Sequence, residues 1–207
     1  MKEFEEVELK YLLGSDADLE MLAQSLPGFQ AELKQQNIYL DVRGKLRSHG
    51  CLCRIRIENG NSEVTLKIAG GIKDGVSSAT EFSESLTSQA LKQVESKDFL
   101  GALRGMKCFE KLESICGEPL TALEEWGRIR NFRRCFQLDQ GWVVELDRAV
   151  FPDGTIRREL EVETDDPRGA REVIDGILRG LQVSWHEAEE SKSCQLFRIL
   201  EESAGES

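Results

Sequence analysis

Glutamates recur at every second position at both ends of the chain, as Glu6 and Glu8 followed by Lys10, and as Glu159, Glu161 and Glu163. Between them the same spacing carries Arg54 and Arg56, Glu63, Thr65 and Lys67, Arg128 and Arg130, and Glu145 and Asp147. A two-residue period puts side chains on one face of a β-strand. Carboxylates gathered on such a face can bind hard divalent cations, and arginines and lysines among them can grip the oxygens of a phosphate chain. The intervening positions are apolar: Val7 and Leu9, Ile55 and Ile57, Val64, Leu66 and Ile68, Val144 and Leu146, Leu160 and Val162. Each strand therefore has one face to pack and one that is charged. A one-sided sheet with a solvated charged face satisfies this pattern. So does a barrel whose charged face points inward, which is costly unless the charges are hydrated, paired or met by an ionic ligand. A ligand matching both signs would be polyanionic and metal-bound.

Alternation predicts a first strand at 3–13, and a helix runs on from Asp16 to Leu26, opened by Ser15 and stopped by Pro27-Gly28. Further strands are predicted at 34–42, 51–58, 62–69 and 77–84, the second and third of these joined by Asn59-Gly60-Asn61. Residues 71–77 read as a Gly-rich loop without the spacing of a phosphate-cradling P-loop. Helical spacing from about 87 to 126 marks a helical insert, with breaks near Gly101 and at Gly117-Glu118-Pro119. Alternation returns at 128–137, 141–150 and 155–164, and two helices close the chain, at 168–181 and from near Glu187, before a disordered tail at 203–207. About eight mostly antiparallel strands and four or five helices make this an α+β chain, its sheet either open or closed into a barrel.

With 207 residues, 40% hydrophobic, 31% charged and only four prolines, the chain has the makeup of one folded domain. The net charge of −11 argues against sequence-independent binding to nucleic acid or an anionic membrane, both of which need a basic surface. The opening MKEFEEVELK lacks the apolar stretch of a signal peptide, and no run approaches the ~20 residues of a membrane span, so a cytoplasmic location is expected. The six cysteines (Cys51, Cys53, Cys108, Cys116, Cys135, Cys194) include no CxxC pair and no histidine at zinc-finger spacing, and they read as reduced structural thiols, with redox sensing the alternative.

The run Glu6-Val-Glu8-Leu-Lys10 resembles the Glu-x-Glu-x-Lys signature of the CYTH domain, the triphosphate tunnel metalloenzyme superfamily named for class IV adenylate cyclase and thiamine triphosphatase. The motifs farther along the chain, taken in order, strengthen the resemblance: Asn37-Ile-Tyr39-Leu-Asp41, Cys53-Arg54-Ile-Arg56, Thr65-Leu-Lys67, Asn131-Phe-Arg133, Glu145-Leu-Asp147, Glu159-Leu-Glu161-Val-Glu163 and Ser191-Lys192. It extends from about residue 3 to 198 and is nearest to the single-domain tripolyphosphatases of plants and the CYTH portion of bacterial inorganic triphosphatases. The resemblance implies a single domain over 1–202, an eight-stranded antiparallel β-barrel tunnel with a hydrophilic interior and helices outside, taking a linear triphosphate with Mg²⁺ or Mn²⁺.

Carried over position by position, Glu6, Glu8, Glu159 and Glu161 match metal-binding carboxylates, and Lys10, Arg54, Arg56, Lys67, Arg133 and Lys192 match phosphate-gripping residues. Glu6, Glu8, Lys10 and Glu161 are the catalytic candidates; Glu81, Glu145, Asp147 and Glu163 are further tunnel positions. One departure stands out. Where family members carry Arg-x-Glu-x-Glu in mid-tunnel, this chain has Ala79-Thr-Glu81-Phe-Ser83, which keeps only the glutamate, and Arg128 or Arg130 is the candidate substitute for the missing arginine. The implied activity is hydrolysis of inorganic tripolyphosphate to pyrophosphate and phosphate, by a monomer or homodimer. The alternatives are a thiamine triphosphatase, for which Tyr39, Trp126 or Trp142 would supply an apolar entrance, a class IV adenylate cyclase, and a non-catalytic polyphosphate or nucleotide sensor.

Overall fold

The computed structural model describes residues 1–205. Nine strands and seven helices succeed one another as β1 (Lys2–Leu13), α1 (Asp16–Ser25), β2 (Phe29–Asp41), α2 (Lys45–Ser48), β3 (Cys51–Glu58), β4 (Asn61–Lys73), β5 (Val76–Ser85), α3 (Ser88–Glu95), α4 (Phe99–Leu103), α5 (Lys107–Cys116), β6 (Glu124–Gln137), β7 (Val143–Val150), β8 (Ile156–Glu163), α6 (Pro167–Gly180), β9 (Trp185–Glu187) and α7 (Lys192–Gly205). The strands hydrogen-bond in the order β5-β4-β3-β2-β6-β7-β8-β1-β9, and β5 also pairs with β1. Eight strands thus close on themselves into the antiparallel barrel of an α+β fold, with β9 added along β1. Contacts divide the chain into two compact units, and β1, β2, β4, β5 and β6 each contribute residues to both.

The first unit holds residues 1–5, 35–70 and 79–128. Asn59 and Gly60 take φ of 46° and 85°, the left-handed pair that a two-residue hairpin between β3 and β4 requires. The apolar faces of β2 to β5 (Ile38 and Leu40, Cys53 and Ile55, Val64 and Leu66, Phe82) form one core with Leu46, Val94, Phe99, Leu103, Phe109 and Leu112 from the four helices of this unit. Thr87 and Asp98 cap α3 and α4, and Gly117, at φ 70°, ends α5.

Cys51, Cys53, Cys108 and Cys116 lie in this core, where burial pushes the Cys51 and Cys108 thiols up to about 12 and raises the other two. Near neutral pH they are protonated and inert. Alkylation of the native protein and subsequent mass mapping should therefore find exposed Cys194 modified first and half-buried Cys135 more slowly, with these four reached only after denaturation; comparable labelling of Cys51 or Cys108 in the native state would contradict their placement.

The second unit holds residues 6–34, 71–78 and everything described from Ile129 onward. Leu9, Tyr11 and Leu13, Val144 and Leu146, and Leu160 and Val162 pack against Leu19 and Leu22 of α1 and Ala170, Ile174 and Leu178 of α6. Ser15 caps α1 by accepting from the Asp18 amide. Gly28 cannot be replaced cheaply, because at φ 69° any Cβ would stand 2.0 Å from the carbonyl oxygen of Gln137.

On the surface of this unit Asp16 accepts from Arg158 at 2.6 Å and Arg148 at 3.1 Å, and these two hydrogen bonds draw its carboxyl from 3.8 to about 2. A carboxyl depressed by folding contributes stability above its unfolded pKa and loses it as pH falls through its folded one. Asp16→Asn should accordingly melt below wild type by a constant margin above about pH 4, a gap that closes between about 4 and 2; a gap that persists at the acid end would mean the effect is not electrostatic.

Several elements depart from the sequence-based expectations for identifiable reasons. Residues 71–77 are not a loop: β4 runs to Lys73 and turns at Asp74-Gly75, with φ of 51° and 69°, straight into β5. β6 begins at Glu124, so the helical insert ends before 126. The last helix starts at Lys192 rather than near Glu187, because Trp185–Glu187 pairs with Tyr11–Leu13 of β1 and the Ala188 amide donates to the Lys10 carbonyl at 3.0 Å. α2 and β9 are each too short to show a period. Ser203–Gly205 belong to α7 instead of a disordered tail, and residues 206–207 of that stretch lie outside the described residues.

Candidate functional site

In the second unit the antiparallel registers stack charge on charge. Glu8 stands opposite Glu163 and Lys10 opposite Glu161; Glu145 and Asp147 stand opposite Glu161 and Glu159; Arg133 stands opposite Asp147. Directly opposed residues share a face, with Cβ atoms about 4.5–5.5 Å apart. One polar face therefore carries the carboxylates of Glu6, Glu8, Glu145, Asp147, Glu159, Glu161 and Glu163 with the cations of Lys10, Arg133 and Arg157, and the first residue of α7, Lys192, reaches the same groups. Glu8, Lys10, Arg133, Glu145, Asp147, Arg157, Glu159 and Glu161 are all buried, while Glu163 is exposed.

Glu161 is the hub. Its Oε1 accepts from Lys10 Nζ at 2.6 Å and Lys192 Nζ at 2.9 Å, and its Oε2 from Arg133 Nη2 at 2.9 Å. Arg133 grips Asp147 in bidentate fashion, Nε to Oδ1 at 2.7 Å and Nη2 to Oδ2 at 2.6 Å, and also pairs with Glu145. Lys192 further pairs with Asp147 Oδ2 at 2.9 Å and with Glu159, and Lys10 with Glu8. Burial pushes the Glu161 and Asp147 carboxyls upward, but the neighbouring cations outweigh it and hold both well below the usual carboxylate range. Burial likewise opposes the charge of Lys10, Arg133 and Lys192, and the carboxylates around them raise all three. Glu145 is the exception, pushed up to about 7 by burial against the pull of Arg133.

Seven carboxylates outnumber four cations on this face, and the surplus falls where oxygens converge. Ligand atoms lie within 4.8 Å of one another in three overlapping trios: Glu6, Glu8 and Glu163; Glu8, Glu145 and Glu161; Asp147, Glu159 and Glu161. All are hard oxygen donors, the type that Mg²⁺ and Mn²⁺ select, so the residues fit a divalent cation by both chemistry and charge.

The polar face of the first unit is different in kind. Asn37 and Tyr39 of β2 stand opposite Arg56 and Arg54 of β3, and Thr65 of β4 stands opposite Arg54. Arg56 Nε donates to Asn37 Oδ1 at 3.0 Å, and Lys67 pairs with buried Glu81 at 2.9 Å. Arg54 has only a 3.4 Å contact from Nη2 to Thr65 Oγ1, and its buried Nε meets no hydrogen-bond partner among the described residues. A half-buried guanidinium with that much unspent donor capacity is matched by an oxyanion. Tyr39 packs against Trp126, ring centroids 5.3 Å apart. Ala79 is buried on the side of β5 that carries Ser77, Glu81 and Ser83, a row with no cation.

The structure separates the candidate residues accordingly. Glu6, Glu8, Lys10, Arg133, Glu145, Asp147, Glu159, Glu161, Glu163 and Lys192 are brought onto or against one face of the second unit, and Arg54, Arg56, Lys67 and Glu81 lie in the first. Arg128 and Arg130 do not replace the arginine missing at Ala79. They alternate out of phase with buried Asn131 and Arg133 on β6, and Arg128 is tied to Glu125 while Arg130 is exposed. Trp142 packs on the apolar cluster of the second unit. Arg157 escapes the motif match, although extending the period of Glu159 and Glu161 by two residues points to it.

No curated protein matches the sequence closely enough to count as a relative. Among solved structures, one from Hippeastrum, a candidate adenylyl cyclase described as having a dominant triphosphatase activity, superimposes with a TM-score of 0.86 at 23% identity over 93% of this chain and 95% of that one. A candidate adenylate cyclase from Bacillus halodurans superimposes with a TM-score of 0.70 at 22% identity, over 93% and 98%. The protein PH1819 from Pyrococcus horikoshii OT3 has a TM-score of 0.56 at 21% identity, over 89% and 94%. At these identities the likeness is one of fold. The sequence model of the CYTH domain matches residues 5–191, and the chain belongs to the CYTH domain family.

Proposed function

We propose that the protein hydrolyses inorganic tripolyphosphate to pyrophosphate and phosphate in a reaction that depends on Mg²⁺ or Mn²⁺. The observation that carries this reading is the buried polar face of the second unit, where carboxylates outnumber cations and converge in trios of oxygen atoms. Such a face is matched by divalent cations and by the polyanion that accompanies them. Glu6, Glu8, Glu159 and Glu161 would hold the metal, which supplies charge neutralisation and an acidified water when bound.

The remaining work falls to the protein. Phosphoryl transfer needs alignment and electrostatic support more than covalent help. Lys10 and Lys192, already paired with the carboxylates, offer ammonium donors to phosphate oxygens once a metal takes up part of the negative charge. Arg54 and Arg56 bring guanidinium groups, of which Arg54 is least engaged. A carboxylate oxygen of Glu6 or Glu8 accepts the proton released by the attacking water. The Tyr39–Trp126 ring pair favours one second reading, a triphosphate with an organic ring, of which thiamine triphosphate is the first to test.

The deciding experiment strips the protein of metal, restores Mg²⁺ or Mn²⁺, and measures phosphate release from tripolyphosphate, thiamine triphosphate and ATP, with cyclic AMP assayed in the ATP sample. Metal-dependent turnover strongest on tripolyphosphate is the expected result. Preference for thiamine triphosphate selects the second reading, cyclic AMP a cyclase, and tight binding without turnover a sensor. Arg56→Ala should raise the KM for tripolyphosphate about tenfold or more and leave kcat within a few-fold, the signature of a lost charge-assisted hydrogen bond to bound substrate. Unchanged kinetics would take Arg56 off the substrate.

A further inference from the structure

Arg157 lies on the same face of β8 as Glu159 and Glu161, is 5% exposed, and belongs to no part of the chemistry described so far. Its guanidinium makes three contacts. Nη2 pairs with Glu159 Oε1 and also donates to the backbone carbonyl of Glu190 at 2.6 Å; Nη1 donates to Gln195 Oε1 at 2.9 Å. Glu190 and Gln195 flank Lys192, one before the start of α7 and the other in its first turn. Ser191, the residue before the helix, caps that turn, its Oγ accepting from the Cys194 amide at 3.2 Å.

We propose that Arg157 is the positioning residue for Lys192, pinning the start of α7 to β8 on both sides of that lysine so that its ammonium stays over Asp147, Glu159 and Glu161. Lysine has a long, flexible stem, and its compact ammonium lacks the rigid fork that would fix its orientation on these carboxylates. A divalent cation on Glu159 and Glu161 would compete for the oxygens that Lys192 holds and loosen it. Two of the three Arg157 contacts, to the Glu190 carbonyl and the Gln195 amide oxygen, involve no metal-binding candidate and survive that competition. Lys192 then remains beside the site with its charge available to a phosphate oxygen, instead of being lost to solvent with the end of the helix. Planar guanidinium suits this task, since one group must reach a carboxylate, a backbone carbonyl and a side-chain amide at fixed angles.

The anchoring half of this proposal stands on the contacts alone, and the kinetic half rests on the triphosphatase reading. Hydrogen exchange of metal-free wild type, Arg157→Met and Arg157→Lys tests the first half. The amides of 190–195 should exchange about tenfold faster in Arg157→Met, with 156–163 unchanged, and Arg157→Lys should recover part of the protection. Unchanged exchange at 190–195 would overturn the proposal. Should Arg157→Met fail to fold, Gln195→Leu removes only the Nη1 contact and must shift the same amides in the same direction, with no shift again overturning it. For the second half, Arg157→Met should raise the KM for tripolyphosphate with Mn²⁺ about tenfold with little change in kcat, and should add nothing in a Lys192→Met background. Additive effects would mean that Arg157 acts independently of Lys192. A wild type without turnover on any triphosphate would sink the triphosphatase reading and leave exchange to decide the anchoring.

Discussion

Glu161→Gln should lower metal-dependent tripolyphosphate turnover on the order of a thousandfold while leaving the melting curve cooperative. Three cations converge on this one carboxylate, and it belongs to two of the three trios of convergent oxygens. Glutamine keeps the shape and both hydrogen-bonding positions but removes the charge and turns one oxygen into a donor facing ammonium or guanidinium groups. Both a cation ligand and the counterion of Lys10, Lys192 and Arg133 are lost together. Calorimetric titration with Mn²⁺ separates the two losses: weakened metal binding together with lost turnover supports the ligand role. Near-wild-type turnover in the variant would remove Glu161 from the chemistry altogether, whatever its place in the ion-pair network.

Arg133→Met carries the largest expected effect on stability, about 3–5 kcal/mol in the absence of metal. The side chain is buried, and its removal takes from Asp147 both of the bidentate bonds that hold its carboxylate ionised, and one contact each from Glu161 and Glu145. Those carboxylates then remain at low dielectric facing one another with Lys10 and Lys192 as their main counterions. The same reasoning predicts a rescue. A cation that binds the folded state stabilises it by mass action, and it does so more strongly where negative charge has been left uncompensated. Mg²⁺ or Mn²⁺ should therefore raise the Tm of Arg133→Met by more than it raises that of wild type, as read by thermal denaturation across a metal titration. An equal shift in both proteins would mean that these carboxylates are not where the metal binds.

Much of this arrangement was legible in the residues because a closed antiparallel sheet obeys a strict period. Glu6, Glu8 and Lys10 share a face for the same reason that Val7 and Leu9 share the other, and β3 begins and ends where alternation places it. Where an element spans barely more than one period, reading fails. β9 has three residues and α2 four, and neither can display a repeat. The turn at Asp74-Gly75 was hidden by Gly70-Gly71, which look like a break but lie within β4. Arg128 and Arg130 mislead because they alternate as well as the tunnel candidates do, but on the even positions of β6, so they face away from the odd row that carries Asn131 and Arg133. Pairing among charges was not legible at all. Nothing in the spacing says that Arg133 faces three carboxylates while Arg54 holds a single long contact to a hydroxyl, since that depends on which strands are neighbours. Arg157 could have been found by extending a known alternation, yet its link to Gln195 and Glu190 joins β8 to a helix that the sequence placed several residues too early.

The pairing of β1 with β8 bears on how this protein is made. Lys10 and Glu161 meet across 151 residues of chain, so β1 must wait for a strand made much later. Contacts this distant in sequence raise the contact order and slow folding, because loop-closure entropy is spent before the contact rewards it. A chain still on the ribosome and lacking β8 has Glu6 and Glu8 but neither Glu159 nor Glu161, and therefore none of the three carboxylate trios complete. The convergence of these carboxylates therefore waits until β8 has been made and has paired with β1.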